Sequence, residues 1–190
     1  YSSDPLATEG ARRGSLAAWI IERINKREYS IQEKMCLFWQ NHFAATYTFD
    51  SRATYNYHEL IRTHALGNFK QFVKDVTIDP CMLLFLSGVS NNQFSPNENF
   101  ARELLELYTI GKGPQIGPGD YTNYKEYDIQ EASKILTGWT VSGLLSEVES
   151  TTTAVFAPIL HDTTTKTLSE HFNFAEILPN GQNEYADLVD

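Results

Sequence analysis

Three groups of residues in this 190-residue sequence could do chemistry. His42 closes the run Phe38-Trp39-Gln40-Asn41-His42-Phe43. An imidazole titrates near neutrality and can serve as a base or a metal ligand. In the stretch from Pro96 to Ile110, Glu98, Arg102 and Glu106 step by four, with Asn99 and Glu103 beside them. An arginine between two carboxylates keeps them ionised, which suits a metal ligand or a general base but not an acid. The same stepping also describes a solvated helix face carrying two ion pairs. The third group is His161-Asp162, with Lys166 four residues beyond Asp162. In a turn, an adjacent imidazole and carboxylate can converge on one metal or one proton; equally, an aspartate there can cap its own turn.

The elements that must position these residues read mainly as helices. Leu16, Trp19, Ile20 and Ile24 recur at helical spacing over roughly 9–27. Ser30 and Glu33 form a capping box for a helix reaching about Tyr47. On it Ile31, Met35, Phe38, Trp39 and His42 share one arc, which turns His42 toward a core. A third helix covers about 53–66 and stops at Gly67, Asn68 caps a fourth, and Asp79-Pro80 opens a short fifth ended by Gly88. Ser95, Pro96 and Glu98 start a sixth that runs to Ile110, with Phe100, Leu104, Leu107 and Tyr108 opposite its polar residues. Residues 112–127, rich in glycine, proline and tyrosine, read as a long mobile loop. Asp128 and Glu131 open a seventh helix ending near Gly138.

After Trp139 the helical period is lost, and the Thr- and Val-rich residues 147–170 read as a strand pair or an irregular arm. Asn183 starts a further helix that Asp190 cuts off. The expected fold is thus an irregular bundle of about seven helices with a small C-terminal β-hairpin arm. Residues 1–139 form its helical core, and 140–190 the arm and a truncated helix of the same domain. Any β structure is expected between Trp139 and Phe174.

Composition narrows the functional classes. The net charge is −9 with no basic run, so nucleic acid and anionic membrane surfaces are poor partners. No apolar stretch is long enough to span a bilayer. Cys36 and Cys81 form no C-x-x-C pair and read as small buried hydrophobes. The chain begins at Tyr1 rather than Met, so a fragment, a trimmed chain or a mature form is expected. Nucleophile-elbow, P-loop, dinucleotide, zinc-protease and EF-hand signatures are all missing.

In combination the segments resemble one family, the exported bacterial proteins of unknown function catalogued as DUF1800. The matching stretches are Glu33-Lys34-Met35 through Phe43, Ala65 to Phe69, Pro96 to Leu107, Leu136-Thr137-Gly138-Trp139, and Phe156 to Lys166. Gln40 departs from the pattern, which usually has histidine there, and this weakens a two-histidine metal site on that helix. Thr165, Thr167 and Leu168 stand where a glycine is expected nearby. The resemblance implies a periplasmic, cell-surface or secreted protein, much longer than this chain and often encoded beside a sulfatase-like exported partner. It also implies that the polar residues of 96–110 belong to the family's signature.

Two functions are compatible with these residues. One is an enzyme, plausibly hydrolytic, in which His42, Glu98, Glu103, Glu106, His161 and Asp162 supply acid–base groups or ligands for a divalent metal, while Arg102 positions a carboxylate or binds an anionic group. The other is a non-catalytic module for an exported partner protein or a glycan, recognised through Tyr121, Tyr124 and Tyr127. Geometry separates them: the enzyme needs His42 or His161 within reach of the carboxylates in a cleft.

Overall fold

The computed structural model describes Asp4 and residues 7–25, 31–45, 50–146 and 151–190. The fold is mainly α, as expected. Its helices are α1 (Glu9–Asn25), α2 (Gln32–His42), α3 (Ser51–His64), α4 (Phe69–Thr77), α5 (Pro80–Phe85), α6 (Glu98–Glu103), α7 (Glu126–Ile135) and α8 (Glu184–Val189). The strands pair two by two, all as short hairpin-like ribbons: β1 (Gln115–Gly117) with β2 (Asp120–Tyr121), β3 (Trp139–Ser142) with β4 (Thr153–Phe156), and β5 (Lys166–Thr167) with β6 (Glu176–Ile177). The chain divides into two compact units, one of residues 1–85 and 141–154, the other of residues 86–140 and 155–190.

The first unit packs α1 to α5 around Phe43, Tyr57, Ile61, Phe72 and Met82, all essentially inaccessible. Local caps start its helices: Asn68 accepts from the Gln71 amide at 3.0 Å, and Asp79 accepts from Cys81 at 2.7 Å. Helix α3 begins at Ser51 because Asp50 caps it, accepting from the Arg52 amide at 3.0 Å. Asp50 and Arg52 are both buried and also form an ion pair. Arg52 then donates to the carbonyls of Gly143 and Ser146 at 3.0 Å each, and Asp50 accepts from Leu145 at 2.9 Å. One charged pair thereby fixes residues 143–146, directly after β3, without leaving a charge unpaired. Ser30, the expected cap of α2, lies outside the described residues.

On α2 the buried arc differs from the expected one. Cys36 is the buried residue, while Ile31 and Phe38 are 63% and 54% exposed. The inward face runs through Cys36, Trp39 and Phe43, about 90° round from the centre of the arc drawn through Phe38. Trp39 anchors it, its indole donating to the Ala65 carbonyl at 3.0 Å.

The second unit buries Phe100, Leu104, Tyr124, Ile129 and Ile135. Asn91 joins its parts: its amide donates to Ser133 at 2.8 Å, its side-chain oxygen accepts from Asn97 at 2.8 Å, and its carbonyl accepts from Gly138 at 3.1 Å. Helix α6 starts two residues later than Ser95 suggested, with Asn97 as its cap. It then widens into a π-helical turn over Leu104–Tyr108. That extra residue per turn explains Leu107, which lies 62% exposed although an α-helical period puts it on the buried side.

The stretch 112–127 is not the irregular loop expected, and β structure begins before Trp139. Gly117, Pro118 and Gly119 turn β1 back onto β2, and the ends are tied by Thr122 N–H to Pro114 O at 3.0 Å and Glu126 N–H to Gly119 O at 2.9 Å. Gly113 has a positive φ of 72°, and a Cβ there would sit 2.9 Å from that of Thr122, so only glycine fits.

Burial raises the Asp79 carboxyl to about 7, against two helix amides that lower it. Its folded pKa lies above the unfolded value, so its stabilising contribution is complete below about pH 4 and is lost as pH rises through 7. Asp79→Asn keeps the capping oxygen and removes the titration. Urea midpoints measured from pH 4 to pH 8 should therefore fall less steeply in the variant than in the parent, and the variant should be the more stable at pH 8.

Candidate functional site

The second unit holds six of the seven predicted site residues, in two groups built on different elements. The first group grows from α6 and its π turn. Arg102 meets Glu98 one turn before it, at 3.2 Å, and Glu106 one turn after it, at 3.4 Å. Its main partner is Glu126 at the start of α7, which it grips with both terminal nitrogens at 3.0 and 2.7 Å. This bidentate geometry is the strong form of an arginine–carboxylate contact. Glu106 further accepts from Lys112 at 3.1 Å and from the Tyr124 hydroxyl. The Arg102 and Glu106 side chains are 30% and 17% exposed, so the cluster is neither an open surface nor a core network.

Charge follows this geometry. Burial pushes the Glu106 carboxyl up, but Tyr124, Lys112 and Arg102 together hold it below its ordinary value. Arg102 lowers Glu126 in the same way. Tyr124 is raised to about 12 by burial and by its bond to Glu106. All three groups are locked in their usual charge states at neutral pH, so none is poised to transfer a proton. Glu103 lies aside from the cluster, on a half-buried position where its charge helps burial to raise Tyr108 to about 12.

The second group is sealed. His161 is 2% exposed, Lys166 and Glu184 not at all. The His161 Nδ1 atom lies 2.9 Å from the Thr137 carbonyl and 3.1 Å from its hydroxyl, while Nε2 lies 2.8 Å from Glu184. The other Glu184 oxygen accepts from Lys166 at 2.6 Å. Two amides in the turn that precedes α8, those of Asn180 and Gly181, complete the set at 2.9 and 3.2 Å. Burial pushes the Glu184 carboxyl up, but His161, Lys166 and the Asn180 amide outweigh it and hold the group below its ordinary range. Gly138 makes room: its φ is +90°, and a Cβ there would approach the His161 Cβ to 3.0 Å and the Phe156 ring to 3.1 Å. Asp162 is not part of a proton relay. It accepts from the Thr164 amide at 2.8 Å, closing its own turn.

His42 belongs to the first unit. It is partly rather than fully buried, with its ring against Trp39, Phe43 and Phe69 at centroid distances of 5.6, 4.6 and 6.2 Å. The structure therefore joins Glu98, Arg102 and Glu106, joins His161 separately to Lys166, and gives His161 a glutamate from α8 instead of one from α6. Glu126 and Glu184 were missed in the sequence, and Tyr124, expected there as a recognition residue, is bonded to Glu106 instead. Glu184 alone had a signal, because a histidine and a lysine five residues apart inside an apolar arm demand a carboxylate from elsewhere. Among the described residues no group of three or more His, Cys, Asp or Glu side chains is placed to hold a metal ion.

The two groups should respond differently to substitution. Arg102→Ala removes a partly exposed network and should cost about 1–2 kcal/mol, above an isolated surface pair because the contact is bidentate and shared. Glu184→Ala strands a buried lysine and should cost roughly 3–5 kcal/mol. Thermal unfolding of both variants beside the parent checks the order. A larger loss for Arg102→Ala would reverse the assignment of which network is structural.

No curated protein and no solved structure matches the chain. A family model does, over residues 5–190, nearly the whole length and including every segment described above. The chain thus belongs to the family described as protein of unknown function (DUF1800).

Proposed function

We propose that this chain is a non-catalytic binding or assembly module of an exported protein, and that it recognises a partner protein through the ribbon at 112–127. The observation that carries this reading is the saturation of His161: both ring nitrogens are bonded inside a region closed to water. A general base must reach a substrate proton, and this one cannot. The Arg102 guanidinium is likewise occupied by three carboxylates, so it is not free to clamp an anionic substrate.

The ribbon has the features of a recognition element. Tyr124 is fully buried and tethers it to Glu106, so the segment is held in one shape. Ile116 and Tyr127 are 63% and 47% exposed, and Lys112 sits 4.3 Å above the Tyr121 ring. Rigid, partly apolar anchors of this kind lose little entropy on binding. A periplasmic, cell-surface or secreted setting and a sulfatase-like exported partner are the proposal that the family membership supports. No helix among the described residues is long and apolar enough to cross a membrane.

The test is biolayer interferometry of the chain against a sulfatase-like exported protein, the proposed partner. Ile116→Asp with Tyr127→Ala should weaken binding at least about tenfold, the loss typical of a removed anchor, with the thermal midpoint unchanged. Absence of binding, or binding indifferent to the double variant, would refute the ribbon as the interface. Turnover of nitrophenyl ester or glycoside substrates that Glu106→Gln abolishes would establish the enzyme reading instead.

A further inference from the structure

Asn180-Gly181 is the sole Asn-Gly dipeptide in the sequence. Such a pair can modify itself. The Gly181 nitrogen loses its proton and bonds to the Asn180 Cγ, the Cγ–Nδ2 bond breaks, and ammonia leaves with that proton. Water then opens the resulting succinimide ring. Cleavage at Cγ gives aspartate, and cleavage at the backbone carbonyl gives isoaspartate, in which the main chain runs through Cβ and Cγ. Glycine favours ring closure because no Cβ crowds its nitrogen. Asn180 is exposed, so ammonia can leave and water can enter.

The folded backbone opposes ring closure in two ways. Asn180 has a ψ of 14°, which nearly eclipses the Gly181 nitrogen with the Asn180 nitrogen. That leaves it about a third of a turn from Cβ, whereas a flat five-membered ring needs it eclipsed with Cβ. The amide that must react is also held. The Gly181 N–H donates to Glu184 Oε1 at 3.2 Å, and the Asn180 N–H donates to the same oxygen at 2.9 Å. Turning ψ to the ring-closing value carries the Gly181 N–H off that oxygen, so a charge-assisted bond must break first. Glu184 cannot follow the turn. None of its surface meets water, and its two oxygens lie 2.8 Å from His161 and 2.6 Å from Lys166.

We propose that Asn180-Gly181 is a self-modification site kept latent by Glu184. While Glu184 grips both amides the pair does not cyclise. When the turn lifts off Glu184 it does, and isoaspartate then adds one carbon to the main chain between those amides, so that they no longer fit one oxygen. The change runs one way, and the chain keeps a permanent mark of having opened there. Glu184 is a positioning residue in this scheme. The site is independent of the ribbon at 112–127 and of the partner proposed for it.

The full 190-residue chain and a synthetic peptide of residues 176–186 are incubated in neutral buffer at physiological temperature. Conversion at Asn180 is followed by peptide mapping and by isoaspartyl methyltransferase labelling. The peptide should convert at least about tenfold faster, because only the open fraction of the folded chain reacts. Glu184→Ala should speed the chain at least about fivefold by freeing the turn. Leu168→Ala loosens the same unit from its core cluster with Ile135 and Ile177 but leaves Glu184 and its partners in place, so its rate should stay within about twofold of the parent's. Should Glu184→Ala not fold, the parent chain in urea below its transition gives the reading: conversion and hydrogen exchange of the Gly181 amide should rise in proportion. The proposal fails if the parent converts as fast as the peptide, or if a folded Glu184→Ala is no faster than the parent. It fails equally if Leu168→Ala accelerates conversion as much as Glu184→Ala, or if the Gly181 amide exchanges freely in urea while conversion stays flat.

Discussion

Glu184 accepts from His161, Lys166 and two backbone amides with none of its surface in water. A buried carboxylate, ammonium and imidazole each carry a desolvation penalty that only full pairing offsets. With all of them paired, β5, the turn at 158–162 and the start of α8 have one mutual arrangement. Gly138 and Phe156 then have fixed neighbours, and Trp139 packs edge-on against both Phe156 and Tyr185. Much of the carboxyl-terminal part of the second unit is thus specified by one carboxylate. Its small strands contribute few backbone bonds and could not do this alone.

The Arg102 cluster does a related job with less burial. Glu126 and Glu106 bring the start of α7, the π turn and the ribbon to one guanidinium. The π turn matters here because it breaks the α-helical period just before the ribbon. Thr109 donates to the Leu104 carbonyl at 2.7 Å, and Gly111 to that of Leu105 at 2.9 Å, satisfying acceptors that the widened turn leaves behind.

Most of the helical layout was legible because it rests on local signals. Asn68 and Asp79 cap where spacing says they should, and α7 begins near Asp128, whose carboxylate returns to the Lys125 amide at 2.7 Å. The errors arose where a second element decides. The 3.6-residue period misplaced Leu107 because the π turn has no sequence signature. It turned α2 toward Phe38 because amphipathic patterning does not register that Ile31 and Phe38 are left uncovered. The candidate site was legible in residue types but not in pairings. Glu98, Arg102 and Glu106 meet because they are four apart, whereas Glu126 and Glu184 reach their partners across 24 and 18 to 23 residues of chain. No spacing rule connects such positions.

The Asp50–Arg52 pair has a consequence for how the chain folds. Its partners at Gly143, Leu145 and Ser146 follow it by more than 90 residues, and most of the second unit's residues lie in between. Until those later residues have left the ribosome, a guanidinium and a carboxylate that end up buried lack these three partners. At about 5–20 residues per second, the wait is roughly 5–20 s. Closing a loop of that length costs little more entropy than closing one half as long, but it takes place late. The first unit is therefore completed by a segment made after much of the second, and a single cut in the chain cannot release either unit whole.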